Sequence, residues 1–290
     1  MHNLTRPEGS EPEDFHITRR AATGMFFAGY ALAAVSAQAS PIRTGDDGLT
    51  IEEVLIPNGT AKPLPAYLAR PKGRGRRATV IVVNEIFGLH AYIQDVCRRL
   101  AKQGYVAMAP GYFAREGDPS LMTDFADIMA VVRATPNGQV MADTGAALRY
   151  LAATPFADVS KAGITGFCWG GTVVWMACAA HDFKAGAAWY GRLVRPAQNA
   201  EADRLYPNEI ADQLRCPVLG LYAENDQGIP LDSVETMRQA LAAAGRTDSE
   251  IIVYPGTDHG FHADYRPMYD AAAAADGWAR MLRLFGERLA

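Results

Sequence analysis

Short apolar runs alternate with longer segments of helical periodicity along most of this chain. The run "TVIVVNE", residues 79–85, has the continuous valine and isoleucine content of a buried strand, and a helical pattern follows it at 91–104. Further strands are predicted at 105–110, 162–167, 184–191, 217–226 and 249–255, and further helices at 124–135, 140–154, 170–180, 231–245 and from near Pro267 to Leu289. This alternation predicts an α/β fold with a mainly parallel sheet and helices on both faces.

Two apolar runs, residues 49–57 and 64–71, precede this alternation. Their prolines are typical of edge strands, so we predict an antiparallel pair at one edge of the sheet. The proline-containing stretch 194–210 is predicted to be an irregular excursion above the sheet. We therefore expect a single domain over residues 40–290.

The first 39 residues have a different pattern from the rest of the chain. Arg19 and Arg20 precede an uncharged run, residues 21–39, that ends in the small-x-small sequence Ala37-Gln38-Ala39. This layout predicts a cleaved export signal that resembles a twin-arginine (Tat) signal, with the Tat machinery as a partner and a periplasmic mature protein. The run is too short and too polar for a stable membrane span. The alternative is a short N-terminal helix on a cytoplasmic protein.

The composition is that of a globular protein with a sizeable core, since 49% of the 290 residues are hydrophobic and 21% are charged. The net charge of −4 provides no general attraction to nucleic acid or to an anionic membrane surface. The basic run at 72–77 is interpreted as a solvated loop. Composition therefore favours a protein that acts on small molecules.

A cysteine stands between glycines where a predicted strand meets a predicted helix, in "GITGFCWGG". Gly166 and Gly170 remove the side chains that would collide at a very sharp turn around Cys168, so the pattern predicts a nucleophile elbow with sulfur as the nucleophile. The alternative is a buried cysteine beside two glycines. Cys97, Cys178 and Cys216 are interpreted as small buried hydrophobic residues.

Two later strand ends supply the groups that a nucleophile needs. Asp226 follows one strand and His259 follows the next, and the chain order nucleophile, acid, histidine is that of α/β-hydrolases. Glu224 is an alternative acid, but it lies nearer the strand than Asp226, which is on the turn. His262 could be taken for a metal ligand beside His259, yet no ligand set accompanies the pair, so neither metal nor cofactor is predicted.

The motifs "VVNEIFGLH", "GFCWGG", "ENDQGIP" and "GTDHGF" together resemble the dienelactone hydrolase (carboxymethylenebutenolidase) family of α/β-hydrolases. The resemblance covers about residues 49–289. It implies a Cys168, Asp226, His259 triad that cleaves an ester or lactone. It also implies that Glu85 hydrogen-bonds the resting thiol and is displaced as substrate arrives.

The expected mechanism places an oxyanion in the backbone N–H groups of Ile86 and Trp169. The family holds its substrate's carboxylate with arginines, one of them four residues after the catalytic histidine, where this chain has Ala263. Arg115 and Arg266 are possible replacements and could equally be surface residues. The alternative function is a non-catalytic binding protein on the same fold, which predicts a damaged triad.

Overall fold

The computed structural model describes residues 41–58, 62–196 and 204–290, and an eight-stranded sheet runs through them. The strands are β1 (Leu49–Ile56), β2 (Leu64–Pro71), β3 (Arg77–Val83), β4 (Val106–Pro110), β5 (Ala157–Phe167), β6 (Ala185–Trp189), β7 (Val218–Ala223) and β8 (Glu250–Tyr254). Their order in the sheet is β1-β2-β4-β3-β5-β6-β7-β8. The predicted export segment, residues 1–39, lies outside the described residues.

Strand direction agrees with the sequence analysis. β1 pairs with β2, and β2 with β4, in antiparallel register, whereas the pairs from β4 through β8 are parallel. The predicted α/β fold with an antiparallel edge is therefore confirmed. The carboxyl ends of β3 to β8 lie along one edge of the sheet, where ligand sites of such folds form.

Six α-helices connect and cover the strands within the described ranges. They are α1 (Ala91–Lys102), α2 (Phe125–Ala134), α3 (Asn137–Ala152), α4 (Trp169–Ala180), α5 (Leu231–Ala243) and α6 (Ala271–Arg288). In the part of the chain that the structure describes, none of the helices has the length and apolar character needed to cross a membrane.

The last helix begins later than the sequence analysis predicted. It starts at Ala271 and not near Pro267, because Asp270 is its N-cap and accepts a hydrogen bond from the N–H of Ala273 at 2.8 Å. A carboxylate in this position satisfies one of the unpaired donors of the first turn. β5 also extends beyond its predicted bounds, beginning at Ala157, with a register shift where Ala78 and Thr79 of β3 pair with it.

The core lies on both faces of the central strands. Val80 to Val83 of β3 are fully buried, as a strand covered on both faces requires. Two buried tryptophans satisfy their indole N–H groups within this core. Trp175 donates to the hydroxyl of Tyr222, and Trp189 donates to that of Thr165, each at 3.1 Å.

A second, smaller apolar cluster lies above the carboxyl edge of the sheet, formed by the segments after β3 and β4 and by α2. Its buried members are Ile86, Phe113, Phe125, Ile128, Val131 and Val132. Trp169, at the start of α4, packs against it. The cluster therefore attaches α2 to the loops around the corner that Cys168 occupies.

Candidate active site

Cys168 occupies the sharp corner that its flanking glycines predict. Its backbone angles are φ 56° and ψ −118°, in a region that side chains rarely adopt. A Cβ on Gly166 would lie 2.4 Å from the carbonyl oxygen of Gly170, and a Cβ on Gly170 would lie 2.5 Å from that of Val83. Only glycine fits at both positions, so the strand end and the first turn of α4 press directly against each other.

Backbone hydrogen bonds fix the corner to the sheet and to the helix. The N–H of Cys168 donates to the carbonyl of Trp189 at 3.0 Å, and the carbonyl of Cys168 accepts from the N–H of Gly171 at 2.9 Å. Cys168 is therefore the N-cap of α4, where the helix dipole favours an anion. It is partly exposed, whereas Cys97, Cys178 and Cys216 are buried as predicted.

Asp226 and His259 meet above the ends of β7 and β8. His259 Nδ1 lies 2.6 Å from Asp226 Oδ2. The other oxygen of Asp226 accepts hydrogen bonds from the N–H groups of Gly228 at 2.9 Å and Ile229 at 3.1 Å. These bonds satisfy a carboxylate that is only 4% exposed, and they aim it at the imidazole.

The charges around His259 favour its protonated form. Burial lowers the pKa of His259, but its interactions with the Asp226 carboxylate and with Cys168 outweigh burial and raise the pKa to about 10. The side chain retains 16% exposure. The imidazole thus lies between the predicted acid and the predicted nucleophile, with one edge open to solvent.

The alternative residues in these loops have other partners. Glu224 is exposed and its Oε2 accepts the N–H of Gly256 at 2.7 Å, so it links two loops. The Nδ1 atom of His262 lies 2.6 Å from the hydroxyl of Tyr92, and burial holds the pKa of His262 well below its usual range. His262 is thus a neutral ring of the interior.

Glu85 follows the end of β3 and is 1% exposed. The hydroxyl of Tyr265 donates to its Oε2 at 2.7 Å, and His90 Nε2 lies 3.3 Å from the same oxygen. Burial raises the pKa of Glu85, but the charge of Arg266 and the bonds from His90 and Tyr265 outweigh it and bring the pKa down to about 2. The partners of this carboxylate oxygen are therefore Tyr265 and His90, and the predicted contact with the resting thiol stays a prediction.

The two predicted oxyanion donors lie on either side of the corner. Within the described ranges, the N–H groups of Ile86 and Trp169 donate no hydrogen bond to another residue. Gly170 lies against the backbone of Asn84, since a Cβ on it would be 2.6 Å from the Asn84 carbonyl oxygen. The loop that carries Ile86 is thus packed on the first turn that carries Trp169.

Arg115 and Arg266 both make internal contacts. Arg115 pairs with the buried carboxylate of Asp143. Arg266 Nε donates to the hydroxyl of Tyr265 at 3.0 Å, and its guanidinium lies 4.7 Å from the centre of the Phe87 ring. Arg266 is buried and the Arg115 side chain is only 16% exposed, so neither is an ordinary surface arginine.

Three residues near the site were not identified from the sequence. Tyr265 bonds Glu85, and no periodic signal predicts a contact over so long a separation. Tyr190, with φ 38°, places its ring centre 5.1 Å from that of His259. Arg192 lies just after β6. Its pKa is lowered, because burial outweighs the opposing influence of Tyr206, Cys168 and Asp226. Its position after a strand end could have indicated Arg192.

A separate cavity of about 400 Å³ lies towards the antiparallel edge, where Phe113 is part of its wall. Residues of β1, β2 and the loops after β3 and β4 line it, and Cys168, Asp226 and His259 do not. The chemistry proposed from the sequence therefore lies outside this cavity.

Comparison with known proteins gives consistent similarities. The sequence profile of the dienelactone hydrolase family matches residues 64–289. A protein of Methylorubrum extorquens, provisionally named a carboxymethylenebutenolidase, is 48% identical over 87% of this chain and 87% of its own length. One with the same provisional name from Escherichia coli K12 is 47% identical over 89% of this chain and 94% of its own length.

A similar crystal structure is that of a protein described provisionally as a dienelactone hydrolase from Klebsiella pneumoniae. It is 44% identical, superposes with a TM-score of 0.76, and the match covers 82% of this chain and 98% of that one. Sequence and fold thus agree over nearly all of the described residues.

Proposed function

This chain belongs to the dienelactone hydrolase family and is a lactone or ester hydrolase, and we propose that Cys168 is its nucleophile, His259 its base and Asp226 the orienting acid. The observation that carries the proposal is the position of His259, whose Nδ1 bonds Asp226 and whose ring also interacts electrostatically with Cys168. A base placed between an acid and a nucleophile is the arrangement that acyl transfer requires.

In the proposed first step the Cys168 thiolate attacks the carbonyl carbon of the substrate. The carbonyl electron pair moves onto oxygen, and the N–H groups of Ile86 and Trp169 stabilise that oxyanion. Such donors each contribute about 3 kcal/mol of transition-state stabilisation in enzymes where one was removed. The two N–H groups are suited to this role because they have no partner among the described residues.

Collapse of the tetrahedral intermediate breaks the carbon–oxygen bond of the ester. Protonated His259 gives its proton to the leaving alkoxide, and a thioester on Cys168 remains. Neutral His259 then takes a proton from water, which attacks the thioester carbonyl and releases the acid with the thiolate restored. In a lactone both products stay in one molecule, so ring opening gives a hydroxy or keto acid.

Glu85 is proposed to control the thiol, as the family resemblance implies. Its bond from Tyr265 supports a displaced position, in which His259 is left to assist Cys168. If Glu85 gave up its hydrogen bond from Tyr265 and accepted one from the Cys168 thiol, the predicted resting contact would form. The proposed substrate is a small ester or lactone, for which Arg115 and Arg266 remain possible anchors of a carboxylate.

The proposed location is the periplasm, reached by Tat export of residues 1–39, with residues 40–290 as one catalytic domain. The paired arginines and the small-x-small end of the leader support this. N-terminal sequencing of the periplasmic fraction should begin near Ser40. An intact Met1 in that fraction would contradict cleavage, and retention of the protein in the cytoplasm would contradict export.

The triad is tested with purified protein on a panel of aryl esters, thioesters and lactones. Cys168→Ala should abolish turnover, whereas Cys97→Ala, which removes a sulfur from a fully buried position on α1, should preserve it. Undiminished hydrolysis by Cys168→Ala would refute the nucleophile assignment. Absence of any turnover by the wild type, with retained ligand binding, would favour the non-catalytic alternative.

A further inference from the structure

Two cysteines that the proposed mechanism does not use come together behind the site. Cys178 lies in the last turns of the nucleophile helix α4, and Cys216 lies two residues before β7, the strand that leads to Asp226. Both are buried, with 0% and 3% exposure. They belong to different elements, so their proximity is a product of the fold.

Backbone contacts hold the two cysteines beside each other. The N–H of Arg215, the residue before Cys216, donates to the carbonyl of Cys178 at 3.0 Å. The N–H of Gly186 in β6 donates to the carbonyl of Pro217, the residue after Cys216, at 2.9 Å. The chain on both sides of Cys216 is therefore fixed against α4 and its neighbouring strand.

The side chain of Cys178 also points towards this junction. A Cβ on Gly186 would lie 2.6 Å from Cys178 Sγ, so the sulfur rests on the glycine whose N–H contacts Pro217. Burial and a hydrogen bond with the Cys216 thiol raise the pKa of Cys178 well above its usual range. Cys178 and Cys216 are thus neighbouring thiols, and a disulfide requires two sulfurs brought together in this way.

The junction that covers the pair is close to solvent. Arg215 and Asp182 form an ion pair at 2.9 Å across it, and their side chains are 52% and 85% exposed. Exposed ion pairs of this kind contribute little to stability. We therefore expect a small oxidant to reach Cys216 from this side, where the residue before it is solvent-exposed.

We propose that Cys178 and Cys216 form a modification site, which becomes a disulfide when the folded protein meets a disulfide oxidant. The Cys216 thiolate attacks a small disulfide RSSR, which forms a mixed disulfide and releases one RS⁻. The Cys178 thiolate then attacks Cys216 Sγ and releases the second RS⁻. The two protein thiols lose two electrons and two protons, and RSSR is reduced to two RSH.

The disulfide would link the end of α4 to the residues just before β7, so that the chain between Cys178 and Cys216 becomes a closed covalent loop. Closing a loop of this size restricts the unfolded chain, and we expect the thermal midpoint to rise by about 5–10 °C. The inference does not depend on the proposed catalytic triad.

The test uses Cys168→Ser protein, so that the exposed thiol does not react with the oxidant. Three of the four cysteines remain, and the reduced, denatured protein should take three N-ethylmaleimide labels. After incubation with oxidised glutathione a few degrees below the unfolding midpoint, it should take one label. Peptide mapping should find Cys178 linked to Cys216 and the label on Cys97.

Cys97 is the matched control, because it is buried to the same extent as Cys178 but lies on α1. Three labels after oxidation, a cross-link that includes Cys97, or a linked pair that lowers the thermal midpoint would each overturn the proposal. When Cys178→Ser or Cys216→Ser is added to the Cys168→Ser protein, two cysteines remain, and both should still be labelled after oxidation. Because the decisive mapping uses neither variant, a folding defect in one would not affect the result.

Discussion

Two buried carboxylates at the same edge of the sheet have opposite surroundings. Asp226 accepts two backbone N–H groups and contacts one imidazole, that of His259. Glu85 has a tyrosine hydroxyl, a histidine and the charge of Arg266 as its partners. Asp226 therefore orients the imidazole of His259, the proposed base, whereas Glu85 is held by a hydroxyl, a second histidine and the charge of a guanidinium.

The difference shows how burial alone fails to identify a catalytic carboxylate. Asp226 and Glu85 are 4% and 1% exposed, so exposure does not separate them. The partners do, because Asp226 bonds the imidazole that also interacts with Cys168, whereas Glu85 bonds the hydroxyl of Tyr265 and faces the charge of Arg266. The predictions below test whether each carboxylate acts through the partner described here.

Asp226→Asn should have the largest effect on catalysis. The amide keeps the size of the side chain but favours the wrong tautomer of His259, and loss of this kind costs about 10⁴-fold in kcat in a comparable triad. Steady-state kinetics on an aryl ester measure it. A loss below tenfold would show that Asp226 does not orient the base.

Glu85→Gln should lower the stability of the folded protein. It removes the buried carboxylate that balances the charge of Arg266, and leaving a buried charge uncompensated costs about 3–5 kcal/mol of unfolding free energy. The pKa of Glu85 falls from 4.5 to about 2 on folding, so the carboxylate's stabilisation is complete above pH 4.5 and is lost as the pH falls through 2.

Urea unfolding of wild type and Glu85→Gln at several pH values checks both statements. The difference in unfolding free energy between them should shrink as the pH falls below 4.5. Tyr265→Phe is the matched control, because it removes the two hydrogen bonds of the hydroxyl, with Glu85 and with Arg266, and keeps both charges. An equal loss at every pH would contradict the charge-based account.

The triad should also leave a signature in alkaline stability. Folding raises the pKa of His259 from 6.5 to about 10, so its contribution is fully present below pH 6.5 and is lost as the pH rises through 10. Wild-type unfolding free energy should therefore fall over this range more than that of His259→Gln. Identical alkaline profiles would show that His259 is not held protonated.

Glu224→Gln should have the smallest effect. Glu224 is exposed and its side chain accepts one backbone N–H, that of Gly256, so we expect kcat within about twofold and less than about 1 kcal/mol of unfolding free energy lost. The same kinetic assay and urea titration measure these changes. A loss of kcat approaching that of Asp226→Asn would reverse the assignment of the acid.

Much of this arrangement follows from local sequence signals. The valine-rich run of β3 and the glycines around Cys168 determine local geometry directly, and the order of strand ends brings Asp226 and His259 to one edge. The start of α6 was predicted too early, although Asp270 before an alanine run is a recognisable N-cap.

The partners of Glu85 could not be predicted in the same way. Tyr265 and Arg266 approach it from a loop distant in sequence, and only tertiary packing sets that distance. The positive φ of Tyr190 likewise has no signal, because tyrosine does not favour that conformation. Strand ends can be read from sequence, but the side chains that surround them depend on the complete fold.

The central claim is that Cys168 carries the acyl group during turnover. Rapid acid quenching of the wild type with a slowly hydrolysed aryl ester, followed by peptide mass spectrometry, tests it most directly. The account predicts one acyl group, on the peptide that contains Cys168, and none on that peptide in Cys168→Ala quenched in the same way. An acyl group on another residue, or turnover with no covalent adduct at any quench time, would contradict it.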